Sequence, residues 1–252
     1  NDAARPVTDR LSDTIGVDYA ALRRPDPRIA AQIVAALGPA ETILNVGAGS
    51  GSYEPTGRRI TAVEPSLEMI RQRPASPATI IQGVAEDLPF ADRSFDAAMA
   101  VLTVHHWRDP ARGLHEIRRV TRGPIVILTY DPAFRGFWLA DYVPALVTLD
   151  DDRMPPLAMY AATLGPVAIA PVPIPHDCVD GFLCAYWRRP AAYLDQRIRA
   201  AMSSFWAVGD VSKAMARLAQ DLEDGSWERR YGALSTLDTC DLGYRLLVSN
   251  PA

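Results

Sequence analysis

Lysine is nearly missing from this chain: Lys213 is the only one, so the basic residues are otherwise arginine. With abundant alanine, that bias follows from a genome rich in G and C and marks no site. Basic charge is not in excess either. Twenty-six Lys and Arg against 30 Asp and Glu give a net charge of −4, without the basic stripe that a nucleic-acid partner requires. Cysteine is sparse and odd in number (Cys178, Cys184, Cys240), which excludes a disulfide framework and points to a reducing, cytoplasmic setting. No run approaches the ~18 apolar residues of a membrane span. The opening residues lack the basic, apolar, small-residue order of a secretion signal. There is no internal repeat and no low-complexity tract.

What is present is ordinary in amount and informative in order. A chain of 252 residues, 48% apolar and 22% charged, has room for one large α/β domain or two small ones. Helical spacing over Ile29–Leu37 stops at Gly38-Pro39. Four short apolar runs follow, Thr42–Val46, Ile60–Val63, Thr79–Ile81 and Phe95–Val101, and a fifth, Ile125–Thr129, comes after the helical stretch Ala111–Val120. Short strands alternating with helices indicate βαβ units in a parallel sheet, and strands apolar on both faces indicate helices on each side. Beyond Asp131-Pro132, Phe134–Val147 and Leu157–Leu164 read as helical, and Val167–Ile174 as a proline-bearing edge strand. Residues 178–236 read as mainly helical, and Leu242–Ser249 as the last strand. The expected fold is a Rossmann-like, seven-stranded, mostly parallel sheet with helices on both faces and a helical lid inserted before the last strand. It is read as a single domain, 1–252. The core covers about 27–131, 166–175 and 241–250, the lid about 132–165 and 177–238, and an N-terminal flap about 1–26.

The strongest chemical signal is Ile43-Leu44-Asn45-Val46-Gly47-Ala48-Gly49-Ser50-Gly51, a buried strand entering a glycine-rich turn. Glycine lets backbone amides approach a ligand closely. Alone, such a turn is shared by nicotinamide, flavin and other nucleotide folds. Glu64 ends the next strand, where an acid can accept both ribose hydroxyls of a nucleoside. The third strand leads to Gly83-Val84-Ala85-Glu86-Asp87-Leu88-Pro89-Phe90, and the fourth to His105-His106-Trp107.

Taken in order over roughly residues 27–131, these segments, with Ala62–Ser66 and Ile117–Val120, resemble the class I S-adenosylmethionine-dependent methyltransferases of the small-molecule, ubiquinone and menaquinone type. The resemblance implies that Gly47, Ala48 and Gly49 wrap the methionine part of S-adenosylmethionine, Glu64 holds its ribose, and Pro65, Ser66 and Met69 border its adenine. It further implies that Ala85 with Glu86 or Asp87 reads the adenine edge, that Val101 and Leu102 lie under the methionine tail, and that Tyr19 and Arg23 form a flap over the cofactor carboxylate. An arginine fork suits that carboxylate.

Three departures stand out. Asn45, counted with the cofactor-binding residues, occupies the motif position where the family carries an acid. Val84 stands where an Asp is usual. Only the eight residues Ser52–Arg59 separate Gly51 from the second strand, too few for a helix of mean length ~11, leaving Tyr53 or Glu54 to close the gap.

For the chemistry, His105 and His106 lie at the carboxyl edge of the sheet, where an imidazole of ordinary pKa ~6.5 is able to deprotonate an acceptor hydroxyl or enol. His176-Asp177-Cys178 with Cys184 has no recognised metal spacing; it reads as a turn before a helix with Asp177 as cap and the cysteines buried, so no metal is expected. The lid aromatics (Phe134, Phe137, Trp138, Tyr142, Phe182, Tyr186, Trp187, Tyr193, Phe205, Trp206) supply the lid's own core and leave some to line an apolar pocket for a small aromatic or polyketide-like acceptor. The leading reading is methyl transfer to a small organic molecule. The alternatives are a binding protein of the same fold with non-methylating chemistry or a sensor role, and, more distantly, a nicotinamide oxidoreductase.

Overall fold

The structure, a computed structural model, describes residues 22–251. Tyr19 and most of the expected flap lie outside them. The first helix, α1 (Pro27–Leu37), starts where Asp26 accepts the Arg28 N–H at 3.0 Å and Pro27 fills the first turn, a position with no intrahelical N–H bond to lose. Its stripe of Ile29, Ile33 and Leu37 is fully buried against the sheet.

That sheet contains β1 (Thr42–Val46), β2 (Arg59–Glu64), β3 (Thr79–Gln82), β4 (Ala97–Val101), β5 (Ile125–Tyr130) and β6 (Ala168–Pro171). A two-residue ribbon strand β7 (Ile174–Pro175) pairs with β8 (Thr239–Cys240) outside the sheet, and β9 (Tyr244–Ser249) returns to it. The order is β3-β2-β1-β4-β5-β9-β6, with β9 antiparallel to both of its neighbours and the remaining pairings parallel. Alternation sorts the strands' side chains into two cores. Ile43, Met99, Val126 and Leu128 face α1 and the inserted segment. On the other face, Leu44, Ala98, Ile125 and Ile127 meet Leu114, Ile117 and Val120 of α3 (Pro110–Val120), which follows the one-turn helix α2 (Leu67–Arg71). Each of the fully buried Leu, Ile, Val and Met side chains among these contributes about 1.5–3 kcal/mol.

The seven-stranded sheet and its two helical layers are as the sequence predicts; several details differ. The fourth strand starts at Ala97, because Phe95 is diverted into an isolated bridge with Thr121. The run 167–174 is not one strand: Pro171 and Pro173 flank a break between β6 in the sheet and β7 in the ribbon. Beyond β5 the helices are α4 (Ala145–Arg153), α5 (Leu157–Leu164), α6 (Gln196–Ala200), α7 (Ser203–Ala207), α8 (Ser212–Glu223) and α9 (Ser226–Tyr231), joined by short 3-10 turns. The expected helix at 134–147 is therefore a turn at Trp138–Asp141 followed by α4. Helix α5 packs with the α3 layer beneath the sheet, its Tyr160 hydroxyl 3.2 Å from Thr129 Oγ1, and so lies with the core layers and not the lid. Asp177 caps none of the described helices; it is an exposed partner of Arg28 at 2.7 Å, whereas Cys178 and Cys184 are buried.

No helix forms between Gly51 and β2. In its place Tyr53, at φ 65° and 4% exposed, plugs the gap: its hydroxyl donates to Asp180 Oδ2 at 2.8 Å and accepts the Asp26 N–H. Arg23 Nε donates to the other Asp180 oxygen at 2.7 Å, so the shortened loop, the strand-like segment before α1 and the insertion are tied at one carboxylate.

Candidate active site

In open parallel sheets ligands sit outside the carboxyl ends of strands where the order reverses. Here that point lies between β1 and β4, and a cavity of about 1250 Å³ opens there. Single-ligand pockets run ~300–1,000 Å³, so this space accommodates two small molecules side by side. Every described residue singled out for the site lines it: Arg23, Asn45, the Gly47–Gly49 turn, Glu64–Ser66 and Met69 on one side; Ala85–Asp87, Val101, Leu102, His105 and His106 on the other.

Gly47 and Ala48 both donate to Val63 O, at 2.9 and 3.0 Å, which folds the turn back onto β2. At Gly47 no other residue fits: φ is 66° and a Cβ would lie 2.0 Å from Thr103 Oγ1. Glu64 is 6% exposed, and its two oxygens accept the amides of Gly49 (2.7 Å) and Ser66 (2.9 Å). These two bonds fix the orientation of the carboxylate, an acceptor-only group of the kind a ribose diol requires. Ser66 also caps α2, accepting the Met69 N–H at 3.2 Å and placing Met69 against the glycine turn.

Asn45 is explained by its neighbours. Its Nδ2 donates to Glu54 Oε1 at 2.9 Å, and Glu54 is held by Arg73 at 2.6 Å in a pair with side chains 10% and 3% exposed. Because Glu54 only accepts, the amide orientation is forced. Asn45 Oδ1 is then a buried acceptor with no hydrogen-bond partner among the described residues. Arg73 also donates to Gly49 O at 3.4 Å. The sequence carried no signal for Arg73; Glu54 was recognisable as a gap-closing candidate only because the loop is short.

On the far wall, Glu86 Oε1 accepts the Asp109 N–H at 2.9 Å at the start of α3, and the exposed Asp87 carboxylate is the open one of the two. Leu102, at φ 51°, is one of three non-glycine residues with positive φ among those described, a conformation costing of order 1–3 kcal/mol. His105 and His106 follow in a 3-10 turn, ring centroids 3.9 Å apart, and neither ring makes a hydrogen bond among the described residues. His105 is half-buried and His106 is exposed at the cavity; the crowding of protein around the rings disfavours the imidazolium, and Arg153 adds to this. His105 is held well below its ordinary value, with His106 contributing, and His106 is pushed down to about 4. Both are neutral at physiological pH.

Most lid aromatics pack on one another, as Trp138 does with Tyr142, Tyr193 and Trp227. Phe182 reaches the cavity together with Tyr130 and Tyr244, which the sequence reading passed over, and with Leu183, Met154 and Met202. Asp150 of α4 joins them. Among the described residues no three His, Cys, Asp or Glu side chains converge as a metal site would need, and no helix is long and apolar enough to cross a membrane.

A glycine turn, a buried acid ending β2 and a cavity at the switch point define a nucleoside-binding α/β site. The comparisons agree. A methyltransferase-domain family model matches residues 44–124. A protein from Anabaena variabilis, assigned as a methyltransferase of an antibiotic biosynthesis pathway, shares 36% identity over 90% of this chain and 98% of its own, with a TM-score of 0.84. The demethylmenaquinone methyltransferase of Porphyromonas gingivalis is 30% identical over 176 residues, 58% of this chain and 70% of that protein. The chain belongs to the class I S-adenosylmethionine-dependent methyltransferases. It spans only about a third of other curated relatives, such as 32% of a chloroplastic 2-methyl-6-phytyl-1,4-hydroquinone methyltransferase of Oryza sativa, matched at 32% identity.

The residues present fit the family's cofactor. Among the described residues Asn45 Oδ1 is a buried acceptor without a hydrogen-bond partner, suited to a donor such as an ammonium; the buried Glu64 carboxylate is the acceptor type that ribose hydroxyls require, and Gly47 and Gly49 line the cavity.

Proposed function

We propose that this protein transfers a methyl group from S-adenosylmethionine to a small aromatic acceptor held in the lid-side half of the cavity. The observation that carries the reading is Glu64, a buried carboxylate fixed by the Gly49 and Ser66 amides beside an open glycine turn. In this reading Glu64 binds the ribose, Asn45 Oδ1 the ammonium, Met69 and Pro65 the adenine face, and Asp87 the adenine edge. Arg23 contributes its charge near the cofactor carboxylate while bonded to Asp180. Val101 and Leu102 floor the methionine tail.

The cofactor supplies an electrophilic methyl when bound; the chain's own part is to position the two partners and keep water out. Tyr130, Phe182 and Tyr244 give the acceptor half its aromatic wall. His105 and His106, neutral and without hydrogen-bond partners among the described residues, are able to accept a proton from the acceptor, a role open to the free-base form. Titration with S-adenosylmethionine and S-adenosylhomocysteine, followed by a screen for turnover to the latter, tests the reading. Binding with turnover supports it; binding of both forms without turnover on any aromatic acceptor favours a sensor instead.

A further inference from the structure

Among the described residues Asp150 is the one carboxylate lining the lid-side half of this cavity, and no side chain donates a hydrogen bond to it. Among the described residues its side chain has no hydrogen bond and no ion pair. Its neighbour Asp151 is paired with Arg135 at 2.8 Å on the exposed side of α4. The fold thus places a cation beside the solvent-facing acid and leaves the cavity-facing one without a donor. A carboxylate withdrawn from water without a partner is costly, and a ligand that supplies a donor recovers that cost.

We propose that Asp150 is the acceptor-binding group of the cavity, an ionised carboxylate that accepts a hydrogen bond from the hydroxyl of a neutral aromatic acceptor. The proposal rests on the methyl-transfer reading for what the molecule is used for, though not for whether it binds. Aromatic shape follows from the walls. Tyr130 and Tyr244 meet edge to face at 5.5 Å and Phe182 lies 4.8 Å from Tyr244, so a flat ring finds both faces and edges. Neutrality follows from charge. Arg153 helps hold both imidazoles unprotonated, so the potential beside the histidines is already positive, and an ammonium has no lone pair to accept a methyl group.

The groups facing Asp150 are consistent with this. Burial, with Asp151 beside it and Arg135 opposing, raises its pKa to about 6. Tyr130, Cys184 and Tyr244, all pushed up first by burial, also sense its charge. The carboxylate is therefore ionised and accepting at neutral pH, and protonated below it.

The test is fluorescence titration of the full chain at pH 7.5 with 2-naphthol and with 2-methoxynaphthalene, which has the same ring system and no donor. A hydrogen bond to a charged group at ~1.5–3 kcal/mol corresponds to about tenfold or more in affinity. Wild type is expected to prefer 2-naphthol by that factor, Asp150→Asn and Asp150→Leu to lose the preference, and the ether's affinity to change little. Below pH 5 the wild-type preference fades. Melting curves of both variants establish that they fold. Equal binding of the two probes by wild type, an unchanged preference in the variants, or no binding of either probe overturns the proposal. Failure of the cofactor reading has a different signature: 2-naphthol selectivity persists while S-adenosylmethionine does not bind.

Discussion

Glu64 Oε2 accepts the Gly49 amide at 2.7 Å, so the acid that ends β2 holds the turn that ends β1. The same carboxylate binds the Ser66 amide through its other oxygen, which makes it a brace for two loops as well as a ligand for a diol. Glu64→Gln keeps the shape and loses the charge. Its affinity for S-adenosylmethionine should fall by about 1–3 kcal/mol, the cost of stranding a buried polar partner. Calorimetric titration reads this directly, and unchanged affinity removes Glu64 from the site.

The buried Arg73–Glu54 pair stands in for the missing helix after Gly51. Removing one member of a buried pair strands the other at a cost of about 3–5 kcal/mol. Arg73→Met should therefore lower the melting temperature markedly and weaken cofactor binding, because Glu54 then loses its charge partner and Asn45 loses its fixed neighbour. The double variant Arg73→Met with Glu54→Gln should recover much of the stability. A single variant as stable as wild type contradicts the account of this loop.

The two histidines separate binding from chemistry. His105→Ala and His106→Ala, made singly, should leave cofactor affinity intact and lower turnover in at least one case. With His106 depressed to about 4, its neutral form dominates throughout the physiological range, so turnover should show no histidine limb between pH 6 and 8. A depressed histidine also favours the folded state only while neutral. Stability conferred by that shift is present above the unfolded value of ~6.5 and declines as pH falls toward 4, and His106→Gln should flatten this part of the stability profile. A profile unchanged by the substitution contradicts the environment described for the ring.

Asp150 carries the opposite sign from a paired carboxylate. Its folded pKa is raised from 3.8 to about 6, so the ionised form is disfavoured in the native state. The penalty is absent below 3.8, grows between the two values and is complete above 6. Asp150→Asn should raise the melting temperature at pH 8 and give no gain at pH 4. A loss at pH 8 would mean that the carboxylate has a partner in the native protein.

The periodic and the local were legible before the fold was known. Alternating apolar runs located β1, β2, β3 and β5, and the glycine turn with Glu64 marked the carboxyl edge where the cavity lies. A gap-closing role for Tyr53 or Glu54 was inferable because eight residues cannot form a helix and a turn; Tyr53 plugs the gap and Glu54 pairs with Arg73. What escaped notice depends on contacts distant in sequence. Arg73 reaches Glu54 across 19 positions, and Tyr130, Asp150 and Tyr244 meet only after β9 inserts beside β5 and α4 folds over them. Proline misled in the opposite direction: the run 167–174 alternates well enough for one strand, yet Pro171 and Pro173 cannot donate to a ladder, and the chain divides between two sheets.

Calorimetric titration of the purified chain with S-adenosylmethionine and, separately, S-adenosylhomocysteine tests the central claim most directly. Micromolar binding of both, weakened in Glu64→Gln, is the predicted result. No binding of either would contradict the account, leaving the methyltransferase fold in place around a cavity that serves another ligand.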